Sequence, residues 1–413
     1  MFGVAKKLMK DMNKLIFFAQ EASFFSAMVR PMLRYKKISY IEPLYIKGIF
    51  SDVFRKTGSV QMPQIETTQG VIIQDTTLIC DYLEDNYPEK SMLPTSPIQL
   101  TVSRIIQEFA NDFMILPAMH YRWNFKLTNW KICYYEFAQM AIPRYLFFLK
   151  PIVAANITPK IEMAYRKMGG LDKDFLPEIE KWYLNFLEKL NVHFSHHKYL
   201  LGNKPSIADC ALMGPLYAHL GRDAYPKKIM LRVAPKVYQW VRRMNDPDHS
   251  DTDYMINDTI PETLLPILEL IFKHQGEKTA GIIKKTNEHL ESLTDVNQLL
   301  RRFSGKAEFR LGQYTGMRPT ETHIAWLRQK MLTEYDALGE SEKKLVNNFL
   351  EKYNWMQLFD LRLKKGIKRI RNKYYHIDAD NDFVEKRDMN INQGAFSAGK
   401  NSSREVRTNK KVN

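Results

Sequence analysis

Cysteine is scarce in this 413-residue chain: Cys80, Cys133 and Cys210 are the only three, far apart and without a CxxC pair. That usage excludes a disulfide framework, a cysteine zinc cluster and a dithiol redox centre, and it fits a reducing compartment. Long apolar runs are missing too. No window approaches ~18 uninterrupted apolar residues, so no transmembrane helix is expected. The N-terminal stretch MFGVAKKLMKDMNKLIFF lacks the apolar core and small-residue cleavage site of a signal peptide. Asp11, and the lack of arginine before Arg30, argue against a transit peptide. A cytoplasmic location is the expectation. Glycine-rich phosphate loops, Walker motifs and nucleophile elbows do not occur. His193, His196 and His197 cluster, but no carboxylate or cysteine completes a ligand set. A solvated loop is expected there and no metal site.

What the chain has is apolar content of 45% and aromatic content of 12%, enough for a packed core rather than global disorder. The length suggests two or three domains. The net charge of +15 is unevenly spread. Residues 96–250 carry 21 basic against 13 acidic groups, and residues 384–413 carry 7 against 3. Such a field concentrates anions of every kind, from small molecules to acidic headgroups and nucleic acid, without choosing among them.

Residues 14–94 alternate element types. Lys14–Ala19 reads as a short strand, Ser23–Lys37 as a helix and Ser39–Ile46 as a second strand. Gln64–Thr67 and Val71–Gln74 flank a Gln69-Gly70 turn and read as a hairpin, and Thr76–Asn86 reads as a helix. From Ser96 strand signals almost vanish and helical stripes recur. One is Ile179, Trp182, Tyr183, Phe186, Leu187 and Leu190; others run through Leu264–Phe272 and Leu345–Tyr353. From about Val384 the chain is polar, basic and nearly free of aromatics, as disordered tails are.

Several short motifs stand at fixed distances. Met62-Pro63 precedes the hairpin, where a proline that cannot donate to a ladder belongs at a strand start or turn. Asp75-Thr76 opens a helix, with Thr76 the expected N-cap and Asp75 favoured by the helix dipole. Capping alone accounts for both residues, yet the same helix start is an anion site. Ser23 follows the first strand, seven positions before Arg30, and Ser26 competes with it as the cap. Ser206 and Asp209, within Gly202-Asn203-Lys204-Pro205-Ser206-Ile207-Ala208-Asp209, have the spacing of a reciprocal cap. His120-Tyr121-Arg122-Trp123 is either a buried aromatic cluster or the lining of a pocket. The basic run 364–371 reads as a solvated helix face, with contact to anionic lipid or RNA as the sharper alternative.

The run from Met62 to Pro88 and the Gly202–Asp209 motif together resemble the two halves of a glutathione transferase. The resemblance covers residues 14 to about 245. It implies an α/β thioredoxin-like glutathione-binding domain at 14–94 and an all-α glutathione-transferase-type domain at 98–250. A helical extension at 251–383 and a disordered basic tail at 384–413 would follow. In that family the proline matching Pro63 is cis and the residue before it meets the cysteinyl unit of glutathione, a role that falls to Met62. Asp75 would pair with the γ-glutamyl ammonium, while the Thr76 hydroxyl and N–H hold its carboxylate. Ser23, or alternatively Ser26, would donate a hydrogen bond to the thiolate, as in serine-type members. His120 and Arg122 are the candidates for the electrophile pocket, and Ser206 with Asp209 is a structural cap. Two departures stand out: Asp-Thr replaces the frequent Glu-Ser or Gln-Ser, and Met28 replaces a Lys or Arg found in many relatives. The implied activity is addition or transfer of glutathione, a co-substrate, to an apolar electrophile by a homodimer without a metal. The alternative is a non-catalytic adaptor that binds protein, RNA or a membrane surface through the basic C-terminal region.

Overall fold

Every residue of the first strand, Leu15–Phe18 (β1), is buried. Leu15 and Phe17 join the main core, whereas Ile16 and Phe18 pack with Val53 and Met62 on the other face. The four apolar residues therefore serve two faces of one sheet, by the period-two alternation of a strand. Tyr40–Ile41 (β2) pairs parallel to β1, while Gln64–Glu66 (β3) and Ile72–Gln74 (β4) pair antiparallel, giving the order β2-β1-β3-β4. Ser26–Tyr35 (α1) and Thr76–Asn86 (α2) cover the Leu15/Phe17 face through Met28, Val29, Met32, Leu33, Ile79 and Leu83. This is the thioredoxin-like unit. The structure is a computed structural model and describes residues 14–43, 53–59, 61–138, 142, 144–169, 173–247, 249, 253–295, 297–370 and 372–377. Residues 44–46 of the expected second strand, and the tail from 384, lie outside the described residues.

The second unit is helical: Pro97–Asp112 (α3), Ile115–Asn124 (α4), Lys150–Gly169 (α5), Leu176–His196 (α6), Ile207–Met213 (α7), Ala224–Val233 (α8) and Pro235–Asn245 (α9). All six residues of the Ile179–Leu190 stripe on α6 are buried, with Trp182 stacked on Phe186 and tilted against Phe113. Ser206 and Asp209 form the capping box of α7. The buried Asp209 carboxylate also accepts from Leu200 N–H at 3.0 Å and Trp240 Nε1 at 3.0 Å, so it ties α7 to α9. Gly214, just past α7, is a point of closest approach between the units. A Cβ there would fall 2.7 Å from the Met28 Cε and 2.9 Å from the Phe24 carbonyl oxygen. His193 sits in the last turn of α6 rather than in a solvated loop. It is buried against Thr263 Oγ1 (2.9 Å) and the Tyr199 carbonyl (3.2 Å), and burial lowers its pKa to about 3.

Beyond residue 253 the chain adds Leu265–Ile271 (α10), Glu277–Glu291 (α11), Thr322–Asp336 (α12) and Glu340–Lys352 (α13). Strands return here, contrary to the sequence expectation. Phe303–Leu311 (β5) pairs with Tyr314–Glu321 (β6), and Gly366–Ile370 (β7) with Lys373–Ile377 (β8), each as an antiparallel hairpin. The basic run 364–371 is therefore largely strand β7 and not a helix face. Ile367 and Arg369 are buried in it, and Lys364 pairs with Glu291 at 2.7 Å. The extension has a core of its own around Ile282, Ile324, Trp326, Ile367 and Tyr374, against which Leu78 of α2 packs. It also enters the main core through Phe309, Leu311, Met331 and Leu350. Ion pairs rivet α12 to the first two units. Arg104 of α3 reaches Glu334 at 2.7 Å and Asp81 of α2 at 3.2 Å, Lys330 reaches Asp81 at 3.0 Å, and Arg328 reaches Glu108 at 2.8 Å.

Candidate functional site

Strand register decides which loops meet. Phe18 lies opposite Gln64, and Gln64 opposite Gln74. The end of β1, the start of β3 and the end of β4 are thus side by side, at strand spacings of about 4.8 Å. Ser23 follows the first, Met62-Pro63 precedes the second, and Asp75-Thr76 follows the third. One edge of the sheet collects all three sequence motifs.

Ser23 occupies a turn before α1 and is half-buried. Its N–H donates to the Gln20 carbonyl at 3.1 Å, and its Oγ accepts from the Ser26 N–H at 3.3 Å. An accepting hydroxyl keeps its own hydrogen for another partner. Ser26 is fully buried and its Oγ accepts from Gln20 N–H at 3.3 Å, which assigns it to holding the turn. Arg30 points its guanidinium at Glu42 (2.6 Å) and Glu21 (3.2 Å), and Met28 is buried against Gly214.

The Met62–Pro63 peptide is cis. Behind it the buried Gln64 side chain donates to the Ser59 carbonyl at 3.1 Å and the Gln61 carbonyl at 2.9 Å, bracing the loop from within. At the third motif the N-cap of α2 falls one residue earlier than the sequence pattern predicts. Asp75, not Thr76, is the cap: its Oδ1 accepts from Thr77 N–H at 2.9 Å and Leu78 N–H at 3.4 Å. Asp75 makes these bonds from an unusual backbone φ of +98°. Thr76 becomes the first helical residue and is 5% exposed.

A family model for the glutathione S-transferase N-terminal domain matches residues 17–91, and one for the C-terminal domain matches residues 170–247. These two matches support membership of the glutathione S-transferase superfamily. Among curated relatives, the omega-1 glutathione S-transferase of Sus scrofa is 31% identical over 58 residues, 14% of this chain and 24% of that protein. The Rattus norvegicus omega-1 enzyme is 33% identical over 55 residues, 13% of this chain and 23% of that protein. The matched stretch thus spans about a quarter of each curated relative. Among solved structures, a beta-etherase from Sphingobium sp. strain SYK-6 has a TM-score of 0.42 at 18% identity, covering 62% of this chain and 99% of that one.

Two residues expected at the electrophile pocket of a glutathione transferase are interior instead. His120 is buried, bonded through Nε2 to Glu180 at 2.8 Å and through Nδ1 to Asn124 at 2.8 Å; burial lowers its pKa. Arg122 is 2% exposed and forms a bidentate pair with Asp223 at 2.8 and 2.9 Å. Its remaining N–H groups go to the carbonyls of Ala218 (2.6 Å) and Ala22 (2.9 Å) and to His219. With its donors spoken for, Arg122 has a different role: it fixes the carbonyl next to Ser23. Tyr217 adds a second tie, donating to Glu21 at 2.7 Å.

The sequence reading missed Gln64 and Gln74, although both stand beside named residues. It also missed residues 250–300 positions away. His323 of α12 places Nε2 3.6 Å from Asp75 Oδ2, and Arg369 of β7 donates to the Gln74 carbonyl at 3.1 Å and to Gln74 Oε1 at 2.8 Å. Among the described residues no group of three His, Cys, Asp or Glu side chains could hold a metal ion, and no helix is long and apolar enough to cross a membrane.

Proposed function

We propose that the chain is a glutathione-dependent transferase whose thiol substrate lies along the shared edge of the sheet. Membership of the superfamily supports this reading. The observation that carries it is the register that aligns Ser23, cis Met62-Pro63 and Asp75-Thr76. Glutathione would run from the Ser23 turn, past the Met62 backbone, to Asp75 and Thr76 at its γ-glutamyl end.

The chemistry follows from the thiol. With a pKa near 8.5 it is mostly protonated at neutral pH. A hydrogen bond from the Ser23 hydroxyl, together with the positive end of α1, stabilises the thiolate and lowers that pKa. The sulfur then attacks an electrophilic carbon of an apolar substrate. A C–S bond forms, and the displaced electron pair leaves with the departing group or is protonated after addition. Ser23 stabilises and does not attack. The chain's own cysteines are unsuited to the nucleophile's role: all three are buried. Burial pushes the Cys133 thiol up to about 12 and holds Cys80 and Cys210 well above their ordinary value.

Calorimetric titration of glutathione into the full chain and into Ser23→Ala tests the reading. Both should bind, with affinities within about threefold. The bound thiol should titrate about one unit lower in the parent than in the variant, equivalent to ~1.4 kcal/mol. Failure of the parent to bind glutathione would remove the proposal.

A further inference from the structure

The glutamyl end of this edge is not open to solvent. The carboxylate of Asp75 has a side-chain exposure of 10%, and Thr76 is more enclosed still. The extension approaches this end through His323. Asp75 Oδ1 is taken by the helix N–H groups, and Oδ2 faces His323 Nε2. His323 Nδ1 lies 2.6 Å from Tyr374 Oη of β8, and its ring stacks on Trp326. A phenol donating to Nδ1 leaves the imidazole proton at Nε2, toward Asp75. Arg369 lies over the Trp326 ring and bonds to Gln74. Asn372, at the turn of the same hairpin, donates to Ser59 Oγ at 3.3 Å and Gln61 Oε1 at 3.2 Å. Residues of α12, β7 and β8 thus lie across both loops that bound the glutamyl end.

We propose that His323 and Arg369 form a gate on the γ-glutamyl end of the thiol site. In the arrangement seen here His323 Nε2 stands 3.6 Å from the Asp75 oxygen that would receive the ligand's ammonium, and the β7–β8 hairpin is bonded to Gln74, two residues before Thr76, which would receive its carboxylate. Binding exchanges these internal contacts for contacts to the ligand. The hairpin must therefore lift from Gln74, Ser59 and Gln61 when a γ-glutamyl thiol binds. The gate makes the apparent affinity the product of the intrinsic affinity and the fraction of molecules that are open. Any change that loosens the gate, without touching Asp75 or Thr76, tightens binding.

This inference rests on the glutathione reading above, and the experiment separates the two. Glutathione is titrated into the full-length parent, His323→Ala, Arg369→Ala and Asp75→Asn, the last keeping a capping oxygen for α2. We expect the His323 and Arg369 variants to bind glutathione about ten-fold more tightly than the parent, and Asp75→Asn to lose binding. Hydrogen exchange of the parent should show amides of 366–377 exchanging faster at saturating glutathione. If the parent binds and His323→Ala binds equally or more weakly, the gate is wrong and the glutathione site stands. Slower exchange of 366–377 on binding would likewise overturn the gate, because the hairpin would then be a wall that closes on the ligand. Absence of binding by parent and variants alike would sink the glutathione site and the gate together.

Discussion

Ser23 and Arg122 come from different units, yet one carbonyl joins them. The Arg122 guanidinium holds Ala22 O, and the next residue is the serine on which the proposed chemistry depends. Its charge is matched by Asp223, which is fully buried. Removing the arginine alone strands that carboxylate in the interior. Arg122→Leu should therefore destabilise the fold by about 3–5 kcal/mol in urea denaturation. The double variant Arg122→Leu/Asp223→Leu should recover much of the loss; if it does not, the pair is not what the arginine contributes. The Ser23, Pro63 and Asp75 positions were legible in the sequence because each motif is local and lies at a familiar distance from its neighbours. The role of Arg122 was not, because its partners Ala22 and Asp223 are about 100 positions away on either side and nothing local names them.

At the scale of elements, the helices of the second unit and the strands of the first were readable from period alone. The β5–β6 hairpin was not read, although its pattern is present. Phe303, Gly305, Ala307, Phe309 and Leu311 alternate with polar residues, and Gly312-Gln313 makes a two-residue turn before Tyr314. The strands are half-exposed, and basic and acidic residues at alternate positions dilute the apolar signal. Gly312 gives the hairpin a sharp test. Its φ is +57°, and a Cβ there would fall 1.7 Å from Glu178 Oε2 on α6. Gly312→Ala should cost about 1–3 kcal/mol in thermal or urea unfolding. Adding Glu178→Ala should relieve the clash but leave the backbone strain. Equal stability of Gly312→Ala with and without Glu178→Ala would mean that the tip does not press on α6. The basic run 364–371 shows the opposite confusion. Five basic residues in eight positions suggested a charged surface, but alternate residues of β7 turn inward, and Arg369 became a bonded interior group.

Where the extension meets the first two units, a few charges act beside the shared apolar core. Asp81 lies between Arg104 and Lys330. Burial alone would raise its pKa, but the two cations outweigh that and hold the carboxyl below its ordinary value. A depressed carboxylate contributes stability above its unfolded pKa of about 3.9, and the contribution is lost as pH falls through the lower folded value. Docking of α12 should therefore loosen below about pH 4. Hydrogen exchange across 322–336 at pH 5 and pH 3 would show it, and Asp81→Asn should flatten the difference. An unchanged acid response in that variant would assign the loosening to other groups. The long separation of these contacts also bears on how the chain is made. The outer face of α2, with Leu78 and Asp81, receives its cover only when residues 322–377 have left the ribosome. At roughly 5–20 residues per second, that face waits some tens of seconds with Leu78 bare and Asp81 held by Arg104 alone. A chain stopped after its second domain would keep that face bare, and quality-control factors that sample nascent proteins would find it there.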